Sequence, residues 1–463
     1  MRTARTAIQA MLGVLVIAAC SSTADAPLVA PASIDANARV SEQDGNVART
    51  AVFRWNALSQ SLSPSLSPNG SPTPWVEARL SAITNVAMHD ALNGVRARYD
   101  RYADHTGVHR SANPAAAVIA AAYTAVVGAT PAPAHDAARA AYDADIAALH
   151  TSASDDRIGA GIAVGIRAAN AVLARRVGDG VDQSEGPYTP GSNPGDYRFT
   201  APFDTPAFDF FGTGGFAIAT KFGTDVRPFV IRSGRQFRVP RPYGAPDNAS
   251  AVKTERYTRD YNEVLQVGCA TCTARTADQS TLALFWVEGS PSAWNRIAIS
   301  QATAANLDAW QTARLLALVQ LAEFDAYVAV IESKYAYNFW RPVTAVALAG
   351  TDGNPRTEAH PGWEVVSFPT PPFPDYPSGH ACTGAAAAAV IRLLLGRDSG
   401  PFTAHSASLP GVTRSFRSVE AAAKENADSR VYVGFHFRHA TEIGLLQGAA
   451  VGSYVVSHEL RRR

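Results

Sequence analysis

The chain has 463 residues, 47% hydrophobic and 17% charged, with 41 Lys plus Arg against 40 Asp plus Glu and a formal net charge of +1. This is a globular composition with ample length for a sizeable core. Near-neutrality argues against a general nucleic-acid binder or a polybasic membrane-surface protein, because neither phosphate backbone nor anionic lipid would attract the chain over any distance; small molecules are the expected partners.

In chain order, Arg2 and Arg5 precede a short apolar run over residues 11–19 that ends at Cys20. That is the pattern of an export signal too short to span a membrane permanently. Ile17-Ala18-Ala19-Cys20 resembles the bacterial lipobox, which implies cleavage before Cys20 and lipidation of its thiol; Ser21 implies sorting to an outer membrane or cell surface. Residues 1–19 are therefore read as a signal peptide. Residues 20–72, rich in Ser, Pro, Ala and Asn, read as a flexible tether, and 73–463 as the helical body.

Thr73 and Pro74 open a helix in which Val76, Leu80, Ile83, Ala87 and Ala91 recur at helical spacing up to Gly94, with His89-Asp90 as a core polar pair. Ala-rich helices follow over 113–128, 134–149 and 155–178, broken at Thr130-Pro131 and Gly178-Asp179-Gly180. Residues 185–250 turn to Pro, Gly and aromatics, and so long a stretch is read as functional, for example a substrate funnel. Cys269 and Cys272 lack a second ligand pair at zinc-ribbon spacing, so they read as a local disulfide or two idle thiols. Glu288 is a candidate for orienting an arginine of the site. Leu315 to Tyr335 is apolar nearly all round, as a central buried helix should be, and its Asp325 needs a partner. No run of alternating β-branched residues is long enough to build a sheet, so the fold class is all-α.

The chemistry lies in the last third. Only four basic residues are lysines, and one, Lys334, stands seven residues before Arg341-Pro342; Pro377-Ser378-Gly379-His380 and Ser429-Arg430 with His436 follow. Together they form an oxyanion kit of one Lys, two Arg, a hydroxyl and the unpaired backbone N–H of Gly379 at the cap of a helix over 381–395. Arg341 precedes a proline and is biased to extended backbone, so the step from Lys334 turns a corner. Arg430 and His436 lie roughly 240° apart on an ideal helix, so Gly434 is the expected irregularity between them. Two histidines remain, one to bond a central atom and one to move protons. Cys382 reads as core filler, Gly444, Gly448 and Gly452 as a close helix contact, and His439 and His458 as surface or supporting residues.

Lys-x6-Arg-Pro, Pro-Ser-Gly-His and Ser-Arg-x5-His, in this order, resemble the signature shared by vanadium-dependent haloperoxidases and type 2 phosphatidic acid phosphatases. The resemblance runs from Ala87-Met88-His89-Asp90-Ala91 through Arg275-Thr276-Ala277-Asp278-Gln279 to the C-terminus, with the motifs within 334–436. Phe437-Arg438 and Phe373-Pro374-Asp375-Tyr376 look like the haloperoxidase branch, whereas Ile331 replaces a Trp of the chloroperoxidase type and Ala440 an Asp common to both branches. The resemblance implies helical bundles of the haloperoxidase and acid phosphatase type, with vanadate as cofactor. Lys334, Arg341, Ser378, Gly379 and Arg430 would hold its oxygens, His436 would ligate vanadium, and His380 with Lys334 would act in catalysis. Hydrogen peroxide and halide are the implied substrates, with a small organic acceptor and a homo-oligomer compatible, no nucleic acid, and contact with a membrane only through the lipid anchor. The alternatives are an acid phosphatase using His436 as nucleophile, and a surface lipoprotein that only binds oxyanions.

Overall fold

Helix boundaries follow caps written in the sequence. In the computed structural model, which describes residues 36–67, 70, 72–396 and 400–463, Asn113, Thr254, Thr276, Asp308 and Ser418 each accept a backbone N–H at a helix start. The helices are α1 (Ala36–Leu62), α2 (Pro74–Val95), α3 (Pro114–Ala129), α4 (His135–Leu149), α5 (Asp155–Arg176), α6 (Glu255–Val267), α7 (Ala277–Phe285), α8 (Ser290–Ala304), α9 (Ala309–Tyr337), α10 (Pro342–Leu348), α11 (Gly379–Leu395), α12 (Val419–Tyr432) and α13 (Arg438–His458), with short helical turns between. The described residues are mainly helical, as the patterning predicts. A single antiparallel hairpin, Phe402–His405 with Thr413–Phe416, interrupts them; its strands are too short for an alternating pattern to stand out.

Residues 36–66 depart from the expected tether. α1 buries Ala48, Ala51, Val52 and Trp55, apolar residues at i, i+3, i+4 and i+7, against the body. Asp145 of α4 accepts hydrogen bonds from Arg54 Nε and Trp55 Nε1, and Asn56 bonds to Asn85 and Asn295. The Ser and Pro content of the whole stretch masks this stripe. Cys20 lies outside the described residues.

α9 is the central element, buried from Ala309 to Lys334 apart from Gln311 and Arg314. Its Asp325 accepts the backbone N–H groups of Phe229, Val230 and Ile231 at 2.7–2.8 Å, so the buried acid pins the irregular segment and has no place in the motif cluster. Asp90 likewise takes the N–H groups of Tyr102, Ala103 and Asp104 while paired with His89, a structural polar pair as expected. α13 lies directly on α11: a Cβ on Gly448 would stand 1.8 Å from the Cys382 carbonyl, a contact only glycine permits.

Candidate functional site

Lys334, Gly379, His380, Arg430 and His436 border one cavity, with Arg341 against His436 and Ser378 preceding Gly379, and local devices put them there. Asn338, in the left-handed region at φ 50°, ends α9 and turns the chain between Lys334 and Arg341, and Pro342 then starts α10. Ser378 is the N-cap of α11 but makes no capping bond with its side chain. After α12, Gly434 at φ 85° reverses the chain so that the N–H groups of Phe435 and His436 both return to the Arg430 carbonyl. That reversal brings Arg430 and His436 to the same wall, which a straight helix would not do.

The site is buried and rich in positive charge. Lys334 gives two N–H groups to the carbonyls of Pro374 and Asp375, each at 2.8 Å, and retains one. Arg341 is held by the carbonyls of Phe373, Phe435 and Pro371. Arg430 gives one bond, to the Trp286 carbonyl at 2.8 Å. Its Nε and the Ser378 hydroxyl are buried without a protein partner, and the first-turn glycine, Gly379, borders the same cavity with open space where a Cβ would stand. Burial pulls Arg341 down to about 10, and burial with repulsion from Arg341 pulls Arg430 to about 9 and holds Lys334 well below the usual lysine range. Asp375 lies against this charge, and burial lifts its carboxyl to about 7. Among the described residues no three His, Cys, Asp or Glu side chains cluster to chelate a cation. Unpartnered donors around a buried positive centre fit a tetrahedral or trigonal oxyanion.

Hydrogen bonding sets the histidine tautomers. Arg341 Nη1 lies 3.1 Å from His436 Nε2, and a guanidinium only donates, so Nε2 carries the lone pair. Its Nδ1–H then donates to Asp375 Oδ1 at 2.7 Å. His380 Nε2–H donates to the Glu288 carbonyl at 3.1 Å, which leaves Nδ1 as the acceptor. Burial and the surrounding cations hold both rings well below the usual imidazole range, hence neutral.

All six motif residues predicted to cradle the anion, and His380, converge here. Asp375 supplies the support for His436 that Ala440 lacks; the sequence signal was its place inside the motif, three residues before Ser378. Glu288 does not orient a site arginine. Its carboxylate holds Arg296 at 2.6 Å, because Arg296 on α8 is nearer, and only its carbonyl serves the site. His439 is buried between Tyr243 and Tyr376, not on the surface, whereas His458 is exposed beside Tyr454. Of residues 185–250, Ile218 alone borders the cavity, so this stretch is no funnel wall. Cys269 and Cys272 form a disulfide, and Cys382 is buried.

Residues 314–462 match the family model described as "VCPO second helical-bundle domain". The vanadium chloroperoxidase of Curvularia inaequalis is 25% identical over 279 residues, 46% of this chain and 45% of that protein, so the alignment spans less than half of this relative's length. A bacterial vanadium-dependent iodoperoxidase superposes with a TM-score of 0.71 at 23% identity, covering 90% of this chain and 98% of its own. A bacterial vanadium-dependent chloroperoxidase in its holo form gives 0.62 at 18%, covering 86% and 94%. Residues 314–462, which hold all three motifs, thus match a haloperoxidase helical-bundle domain, and the chain shares the helical fold of bacterial vanadium-dependent haloperoxidases.

Proposed function

We propose that this chain oxidises halide with hydrogen peroxide, using vanadate as its cofactor, in the balance H2O2 + X⁻ + H⁺ → HOX + H2O. Lys334, Arg341, Ser378, Gly379 and Arg430 would hold the oxygens of vanadate, and His436 Nε2 would ligate vanadium. When bound, vanadate supplies Lewis acidity that activates peroxide toward halide with no redox partner. His380 accepts a proton at Nδ1 and returns it, with the Glu288 carbonyl holding the ring. Lys334, gripped by two carbonyls, keeps one N–H that would donate to an oxygen of the bound anion. The observation that carries this reading is the His436 lone pair, fixed between Asp375 and Arg341 among donors without partners.

The same lone pair suits attack on phosphorus, which makes an acid phosphatase the second reading. One assay separates them: apo-protein, with and without vanadate, tested for monochlorodimedone bromination and p-nitrophenyl phosphate hydrolysis. Bromination that requires vanadate is expected. Phosphate cleavage indifferent to vanadate would overturn the proposal, and oxyanion binding with neither activity would leave a binding lipoprotein.

Export and anchoring through Cys20 at the outer membrane or cell surface belong to the same proposal. The lipobox wording supports them, and the Cys269–Cys272 disulfide suits an oxidising compartment. Cys20→Ser should move the protein from the membrane fraction to the soluble one; unchanged partitioning would sink the anchor.

A further inference from the structure

The cavity, about 430 Å³, has a second polar feature on the wall contributed by α2. Glu77, in the first turn of α2, borders it and is 9% exposed, without a basic side chain in hydrogen-bond contact. Its Oε2 lies 3.4 Å from where a Cβ on Gly289 would stand, next to the Glu288 carbonyl that holds His380.

The hydrogen bonds around Glu77 leave room for a proton on the carboxyl. Ser292 Oγ is within reach of both Glu77 Oε1 and Gln60 Oε1, the latter at 3.1 Å, and one hydroxyl proton serves one acceptor. Gln60 presents its oxygen to Ser292 because its amide nitrogen is on Ser81. Ser292 donating to Glu77 suits the carboxylate, and Ser292 donating to Gln60 suits a protonated Glu77 that donates in turn, so the contacts accommodate both states of the acid. Behind Glu77, α9 carries a buried polar stripe, Gln320, Glu323, Tyr327 and Lys334, that ends at the oxyanion cradle. Both Glu323 oxygens and the Tyr327 hydroxyl lack a partner.

We propose that Glu77, with Glu323 behind it, is the proton-relay acid of the pocket. Halide oxidation consumes one proton per turnover, and the neutral His380 brings none of its own. The Glu77 carboxyl releases its proton into the cavity toward His380 Nδ1, and the carboxylate takes up another from solvent at the cavity mouth. Burial lifts Glu77 to about 7, opposed by the Ser292 contact; Glu288 adds to the rise and Arg296 counters it. Glu323, raised by burial and by Glu77, faces it from α9 along with Tyr327, while Lys334, Arg430 and His380 line the cradle across the cavity. The acid is therefore charged with a proton below neutrality, and its relay fades as pH rises through about 7.

This inference rests on the haloperoxidase reading, and one set of measurements tests both. Vanadate-loaded wild type, Glu77→Gln and Glu77→Asp are compared for bromide oxidation across pH, together with vanadate affinity and the infrared carbonyl band of protonated carboxyls. Glu77→Gln keeps the shape and is expected to lose ~10²-fold or more in kcat below neutrality, the scale of a general acid. The variant should also lose the pH limb near 7 and one carboxyl band that titrates there, keep vanadate affinity, and recover rate with added acetic acid. Glu77→Asp should retain the limb. A wild type without halide oxidation overturns both readings. An active wild type matched by Glu77→Gln in rate and pH profile overturns this one alone, as does a slow Glu77→Gln with an unchanged profile and no rescue.

Discussion

His436 keeps one tautomer because a donor-only guanidinium faces Nε2 and a carboxylate faces Nδ1. Removing the ring and removing its support should have different signatures. His436→Ala should abolish vanadate binding, whereas His380→Ala should retain much of the affinity while losing ~10²–10⁴ in rate. Equal affinities of the two variants in an equilibrium titration would show the ligand to be misassigned. Asp375→Ala should cost vanadate ~10–100-fold in affinity, the usual worth of a residue that orients a ligating histidine. Phosphate held by charge and hydrogen bonds alone should bind the same variant no more weakly, since a neighbouring negative charge has gone. Parallel titrations with the two anions check this.

At the scale of elements, the cradle depends on helix contacts that carry no polar chemistry. Ser378, Gly379 and His380 ride on the start of α11, and α11 is positioned by α13 through glycines whose missing Cβ atoms allow backbone contact. Gly448→Ala would drive a methyl into the Cys382 carbonyl and should cost roughly 1–3 kcal/mol or more, with a weaker oxyanion affinity as the start of α11 shifts. Thermal denaturation and a vanadate titration read the two effects together. Within α9, Glu323 is fully buried and burial raises its pKa well above 4.5. The folded chain holds that proton where the unfolded chain releases it, so this residue lowers stability as pH rises above about 4.5, by up to ~1.4 kcal/mol per pH unit. Glu323→Gln removes the dependence, and its melting temperature relative to wild type should climb between about pH 5 and about pH 8. A constant difference across that range would mean that Glu323 is ionised in the fold.

At the scale of the whole molecule, α1 binds to the body that contains the site. It closes over α3, α2 and α9, and the turn that follows it, at Ser63 and Pro64, borders the cavity. A chain beginning at Thr73 would lose Trp55 from its core and leave Asp145 without Arg54 and Trp55. Such a chain should be destabilised by at least ~3 kcal/mol, the cost of deleting a buried Trp side chain. Unchanged melting on truncation would restore the tether reading for this stretch.

The helical class, the bounds of the early helices of the body and the motif residues that the fold gathers at the cavity were legible in the sequence because they depend on local rules. Caps, periodicity and a glycine or proline at a turn act within a few residues, and the motif spacing is set by such turns: Asn338 between Lys334 and Arg341, Gly434 between Arg430 and His436. Asp325 also shows how far those rules reach, for its need of a partner could be stated but its partners, three backbone N–H groups about 95 residues away, could not. Tertiary structure alone decided which group holds each site residue. Lys334, Arg341, Arg430 and His380 are all positioned by main-chain carbonyls, which every residue possesses and no pattern marks. Glu77 faced the cavity unnoticed for the same reason. On a helical wheel it is one more charged residue in a first turn, and only the packing of α8 and α9 against α2 takes it out of water and gives its proton a use.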